Sequence, residues 1–145
     1  MRRPPKFNLN EFLPYRLTVA AERLSVDFSR NYAKTFGLTI AEWRVLVHLT
    51  QTGEISVRDV EKRVGLEKSK VSRAASRLET AGYLTKSVNM DDRRLVKLAL
   101  TEKGWELMAD LIPVAIAHQD RLLSRLGDKL EAFMTTLTLI EDEDI

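Results

Sequence analysis

The chain has 145 residues, 44% of them hydrophobic, which fits one domain with enough apolar side chains for a core. It has no cysteine, which excludes disulfides, thiolate metal sites and cysteine redox switches, and it has no apolar run long enough to cross a membrane, so we predict a cytoplasmic protein. The formal net charge is +2, but the charges are unevenly distributed. Residues 56–104 carry twelve Lys and Arg against seven Asp and Glu, whereas residues 128–145 carry one Lys against six acids. We therefore expect a polyanion to bind the middle of the chain.

The first part of the chain predicts two helices. Pro14 suits a first helical turn, apolar residues repeat at helical spacing from residue 17 to residue 28, and Gly37 is placed to end that helix. Thr39 and Glu42 have the spacing of a capping box at the start of a second helix, which Gly53 closes. The first helix is long and amphipathic, so we expect it to need a partner surface.

Residues 56–81 predict two short helices joined by a tight turn. Ser56 can cap the first of them with help from Asp59, and Gly65 suits the turn into a helix over residues 67–81. Small apolar residues form a narrow seam along this helix, while its opposite face carries only Ser, Lys and Arg. Arg can fork onto guanine or phosphate and Ser can approach a backbone closely, so this face predicts DNA contact rather than an ordinary solvated surface.

Two strands follow, over residues 84–88 and 95–100, and they predict a hairpin. The residues between them include Asn and Asp, which favour turns. Arg93 and Arg94 lie at the exposed tip, where arginines can enter a minor groove, and Asp92 could orient Arg94 through an ion pair.

The C-terminal part predicts two more amphipathic helices. Thr101 can cap the first of them, Pro113 is expected to kink or divide it, and Gly127 ends it. Asp128 and Glu131 resemble a capping box for the last helix, which carries an apolar stripe to residue 140.

These segments resemble the winged-helix core of the multiple antibiotic resistance regulator (MarR) family. The resemblance lies in the order of elements over residues 13–140, in LETAGYL at 78–84 and in DDRRLVKLALTEKG at 91–104. The D-x-R element of the family falls on Asp92 to Arg94, and its L-T-x-x-G element ends at Gly104; Met90 and Lys86 stand where proline and arginine are common.

The fold that follows is mainly α with a small antiparallel β-hairpin wing (α+β). We predict one MarR-type domain over residues 1–145, with a winged helix-turn-helix lobe at about 39–104 and flanking dimerisation helices at about 13–37 and 101–142. A two-fold dimer doubles the DNA contact and reads a pseudo-palindrome, and the resemblance implies the same assembly.

The predicted function is that of a homodimeric, sequence-specific regulator of transcription, a repressor, that binds double-stranded DNA. Helix 67–81 is placed in the major groove and the wing, 84–100, in the minor groove. The predicted DNA-binding residues are Ser56, Lys68, Ser69, Lys70, Ser72, Arg73, Ser76, Arg77, Lys86, Asp92, Arg93 and Arg94.

The resemblance also implies a small aromatic or phenolic effector, for which Tyr15, Arg23, Trp43 and Trp105 are candidate pocket residues; ordinary packing is the favoured interpretation of these four. No cofactor or metal site is predicted. An enzyme is not predicted either, because the two histidines lack metal-ligand spacing and no phosphate loop or nucleophile motif is present. The alternative is a winged-helix protein-interaction module without DNA binding, against which the basic helix face argues.

Overall fold

The computed structural model describes residues 1–88, 90–92 and 96–142, which fall into two compact units, Met1–Met108 and Ala109–Ile145. Within the described residues, no helix is long and apolar enough to span a bilayer. In chain order the elements are α1 Leu13–Phe36, α2 Ile40–Thr52, β1 Ile55–Ser56, α3 Val57–Val64, α4 Lys68–Thr80, β2 Leu84–Val88, β3 Val96–Leu100, α5 Glu102–Leu126 and α6 Leu130–Glu141.

The N-terminal segment confirms the first predicted helix. A short 3-10 turn at Leu9–Glu11 precedes α1, Pro14 lies in the first turn of α1, and Gly37 ends the helix in the left-handed region with φ 69°. Many apolar side chains at the start and middle of α1, Leu13 and Leu24 among them, remain exposed. Much of the apolar surface of α1 is therefore not buried in the core of the first unit.

The core of the first unit lies between α2, α3, α4 and a three-stranded antiparallel sheet of order β1-β3-β2. The two predicted wing strands are confirmed, with Leu84 opposite Leu100 and Val88 opposite Val96. The sequence did not predict β1, in which Ile55 pairs with Leu98. A strand of two residues shows no period of its own, and it forms here because β3 offers a free edge beside the start of α3.

The predicted helix caps at Thr39 and Ser56 are confirmed. The Glu42 backbone N–H donates to Thr39 Oγ1 over 3.1 Å, and the Thr39 N–H donates to Glu42 Oε2 over 3.2 Å. At α3, the Asp59 N–H donates to Ser56 Oγ over 3.1 Å. Gly65 then ends α3 with φ 68°, as its place in the helix-turn-helix predicts.

The start of α5 is attached to the turn that follows α4. The Thr101 N–H donates to the Tyr83 carbonyl over 3.0 Å, and the Thr101 hydroxyl donates to the Gly82 carbonyl over 2.6 Å. The Gly104 N–H donates back to Thr101 Oγ1 over 3.0 Å, which confirms Thr101 as the cap.

The structure excludes one of the two alternatives predicted for Pro113, division of the helix, and corrects the predicted cap of the last helix. Pro113 does not divide α5, which runs through it to Leu126: a proline removes one backbone hydrogen bond, and the bonds on either side maintain the helix. The predicted capping box at 128–131 is wrong, because a 3-10 turn occupies Gly127–Lys129 and Lys129, in helical conformation, precedes α6 with no side-chain cap. Asp128 therefore does not occupy the N-cap position.

Candidate nucleic-acid interface

The fourth helix has the two faces that the sequence predicts. Val71, Ala74, Ala75 and Leu78 are buried against the core. The residues of the opposite face are exposed, and within the described part of the chain five of them have no hydrogen-bonded or ion-paired side-chain partner: Lys68, Ser69, Lys70, Ser72 and Arg73. These cationic and hydroxyl groups are therefore free to bind an external anion.

A cleft of about 280 Å³ lies beside this face, between the start of α3, α4 and the two wing strands. Its polar lining consists of Ser56, Arg58, Glu61, Lys68, Ser72 and Lys86. Its three cations outnumber its one carboxylate, Glu61, and this excess of positive charge suits a phosphate. The sequence prediction omitted Arg58, although its exposed place in the first turn of α3, directly after the cap, was a usable signal.

Ser56, Ser76 and Lys86, all predicted contact residues, also make hydrogen bonds within the protein. The Ser56 hydroxyl caps α3 and donates to Asp59 Oδ2 over 2.8 Å. Lys86 links β2 to α4, because its Nζ donates to Ser76 Oγ over 2.8 Å and its backbone N–H donates to Glu79 Oε2 over 3.2 Å. These bonds hold the first wing strand against the helix, a role that the sequence did not predict.

Arg77 forms a hydrogen-bonded ion pair with Glu42 of α2, with Nε 3.0 Å from Oε1. Glu42 is almost fully buried, whereas the Arg77 side chain is 59% exposed. The two residues are 35 positions apart, so periodicity along either helix gives no sign of the contact.

The tip of the wing is described only in part. Asp92 is half-buried, whereas the predicted contacts at Arg93 and Arg94 lie outside the described residues. Both remain predictions.

The four residues predicted for an effector pocket lie in three different places in the described chain. Trp43 packs against Phe28 and Tyr32 in an aromatic cluster, with ring centroids 5.0 and 5.7 Å away respectively. Tyr15 and Arg23 line a shallow groove on α1 of about 310 Å³, and Trp105 is exposed on α5.

A different cleft, of about 720 Å³, separates α1 from the start of α2 and the turn before α4. The residues with polar or charged groups in its lining include Glu22, Ser25, Thr39, Arg44 and Lys70. Arg44 Nη2 donates to Ser25 Oγ over 3.2 Å, which holds one guanidinium edge in place. Two cations beside an apolar wall suit a small organic anion.

Tyr32 lies at the centre of the aromatic cluster and is completely buried. Within the described residues its hydroxyl has no hydrogen-bond partner. Burial raises the pKa of Tyr32 to about 12, a shift that the nearby Arg44 charge opposes.

Sequence comparison shows what this arrangement resembles. The model of the MarR family matches residues 36–95. The transcriptional regulator BilQ of Clostridioides difficile (strain CD3) is 32% identical over 110 residues, which cover 75% of this chain and 74% of BilQ. The transcriptional repressor MdtR of Bacillus subtilis (strain 168) is 34% identical over 93 residues, covering 64% of this chain and 60% of MdtR.

Solved structures agree with these relatives. Bordetella bronchiseptica BpsR, whose DNA binding is regulated by 6-hydroxynicotinic acid, aligns with a TM-score of 0.79 and 26% identity over 97% of this chain and 100% of BpsR. The transcriptional repressor CouR, solved on a 23-mer DNA duplex, aligns with a TM-score of 0.77 and 28% identity over 95% of this chain and 100% of CouR.

Proposed function

Because this chain belongs to the MarR family of winged-helix, DNA-binding transcriptional regulators, we propose that it acts as a homodimeric repressor of a pseudo-palindromic operator. Its relatives are regulators rather than enzymes. Repression is proposed because MdtR and CouR are repressors. The cytoplasm, the compartment that holds the DNA, is the proposed location.

The observation that carries the DNA-binding proposal is the outer face of α4. Within the described residues, the side chains of Lys68, Ser69, Ser72 and Arg73 have no partner, and they project from a helix whose other side is buried in the core. A rigid helix that presents cations and short hydroxyl side chains fits the major groove, where arginine reads guanine and serine approaches the backbone. The cleft lined by Arg58, Lys68 and Lys86 would hold an adjacent phosphate.

Exposed apolar side chains support the dimer. The first unit exposes Phe12, Leu13 and Leu24, and α6 exposes Phe133, Met134 and Leu139. Apolar patches of this kind on a small protein mark interaction surfaces. A two-fold dimer would have two copies of α4, as a pseudo-palindrome with half-sites about 10 base pairs apart requires.

The proposed effector is a small aromatic acid, the chemistry that regulates DNA binding by BpsR. The cleft lined by Arg44 and Lys70 supports this choice, because two cations can bind a carboxylate while apolar residues such as Val26 and Ile40 contact a ring. The earlier candidates Tyr15, Arg23, Trp43 and Trp105 remain a separate prediction. Titration of aromatic acids against the protein–DNA complex, followed by fluorescence anisotropy, tests the proposal; release of DNA by none of a broad panel would contradict it.

Selection of duplexes from a randomised pool by the full-length protein tests the DNA-binding proposal. We expect a selected pseudo-palindrome with half-site centres about 10 base pairs apart, and an affinity that falls steeply with salt, with a log–log slope of about −0.9 per phosphate contact. Enrichment of no sequence, together with binding that is insensitive to salt, would favour the protein-interaction module.

A further inference from the structure

The Glu42 carboxylate joins two different elements, because each of its oxygens has its own partner. Oε1 accepts the Arg77 Nε–H of α4 over 3.0 Å. Oε2 accepts the backbone N–H of Thr39, which completes the capping box at the start of α2. The cap therefore fixes the carboxylate that Arg77 contacts, and 7% exposure leaves that carboxylate little freedom to turn away.

The same bond constrains the Arg77 guanidinium. A guanidinium has five N–H donors in one plane, so an acceptor at Nε sets the plane and leaves the four Nη–H groups for another partner. Within the described chain the Nη atoms have no acceptor, and the side chain is 59% exposed. Glu42 therefore orders an arginine that would otherwise sample many rotamers at the surface.

The position of Arg77 on α4 indicates which part of DNA it would meet. Base edges are read mainly by the N-terminal residues of a recognition helix, which here include Ser69, Ser72 and Arg73. Arg77 lies one turn beyond Arg73, near the C-terminal end of α4, and its Nε is already bound. A bidentate contact from the two Nη atoms to a phosphate is the interaction that this geometry leaves open.

We propose that Glu42 is a positioning residue for DNA binding, which holds the Arg77 guanidinium so that its Nη atoms contact a backbone phosphate. The inference rests on the proposed docking of α4 in the major groove. Of the two contacts that the sequence leaves open for an arginine on this face, guanine or phosphate, the inference assigns phosphate to Arg77.

The substitution Glu42→Gln tests the proposal, because the affinity for DNA changes in a different direction if Glu42 positions Arg77 than if it does not. A glutamine has one acceptor oxygen, so it can complete the cap or accept from Arg77 Nε, but its NH₂ group cannot replace the second oxygen. If Glu42 positions Arg77, affinity for a duplex selected by the wild-type protein falls about 10-fold, and the log–log salt slope becomes less steep by about 0.9. If Glu42 is a bystander or sequesters Arg77, loss of a negative charge near DNA leaves binding unchanged or makes it tighter, and either result overturns the proposal.

Two further variants separate positioning from simple stabilisation. Thr101→Ala removes the cap hydroxyl of a different helix, α5, whose partners are Gly82 and Gly104, so it should lower the melting temperature while retaining the wild-type salt slope. In an Arg77→Ala background, Glu42→Gln should cause no further loss of affinity, because the residue through which it acts is absent. An equal loss in both backgrounds would overturn the proposal.

A wild-type protein that selects no duplex would refute the proposed DNA docking, whereas a selected duplex bound equally well by Glu42→Gln would refute only this inference.

Discussion

Gly104, in the first turn of α5, lies directly against the backbone carbonyl of Tyr83. A Cβ atom at residue 104 would overlap the Tyr83 carbonyl oxygen and would also press on the Leu100 side chain. The last residue of the L-T-x-x-G element is thus a glycine because two backbone segments meet there without room for a side chain. Thr101, in the same element, bonds to both Gly82 and Tyr83.

The contact predicts that Gly104→Ala destabilises the protein. We expect the free energy of unfolding to fall by about 1–3 kcal/mol, as for other overpacking substitutions, because the backbone of Tyr83 cannot move like the end of a side chain. Urea denaturation followed by circular dichroism measures the change. Glu106→Ala, an exposed substitution in the same helix, serves as the control and should change stability by no more than about 0.5 kcal/mol. Wild-type stability of Gly104→Ala would contradict the close approach.

The predicted wing contact is tested by Arg94→Ala. This variant should bind the selected duplex at least about 10-fold more weakly, because a cation in the minor groove is lost, while its melting temperature stays that of the wild type. Fluorescence anisotropy at fixed salt gives the affinity. Lys34→Ala removes one exposed positive charge from the end of α1 and should leave affinity nearly unchanged. Equal affinities for wild type and Arg94→Ala would rule out the wing assignment.

The dimer proposal predicts that a charge on the apolar face of α6 separates the protomers. Met134 is 47% exposed, so Met134→Glu costs the isolated chain little, but in a dimer it would bury an unpaired carboxylate. We expect sedimentation velocity to show a monomer and DNA affinity to fall with it. Glu131→Gln, at the exposed start of the same helix, is the control. If the wild-type protein sediments as a dimer and Met134→Glu does so too, α6 is not part of the proposed interface.

Tyr32 predicts a specific loss of stability at high pH. Its folded-state pKa of about 12 lies above the ordinary value of 10.0, so its contribution is fully present below pH 10 and is lost as the pH rises towards 12. Tyr32→Phe removes this titration, and we expect the mutant to gain about 2–3 kcal/mol relative to wild type between pH 10 and 12. Near pH 7 it should be as stable as the wild type or slightly more so, because the lost hydroxyl has no partner in the described chain. At pH 11, halfway through this range, the gain should be about 1.4 kcal/mol, and parallel urea melts at pH 7 and pH 11 check both expectations.

Much of the local structure was predicted from the sequence. Helix caps at Thr39 and Ser56, the left-handed turn at Gly65 and the buried seam of α4 depend on residues within a few positions of one another. The local sequence predicts a helix cap less well where several polar residues lie near one helix end. Asp128 and Glu131 had the right spacing for a cap, yet the backbone formed a 3-10 turn there instead.

The basic face of α4 is therefore a property of the sequence by itself, because helical periodicity alone separates its cations from its buried seam. The tertiary structure decided which cations have a partner within the protein and which can bind an external anion. It pairs Arg77 with Glu42, links Lys86 to Ser76 and brings Arg58 to the same cleft as Lys68. These contacts join residues 10 to 35 positions apart, and such pairs meet only when separate elements pack on a common core. Because α2, α3 and the sheet pack around α4, side chains of similar charge have different partners and therefore different roles.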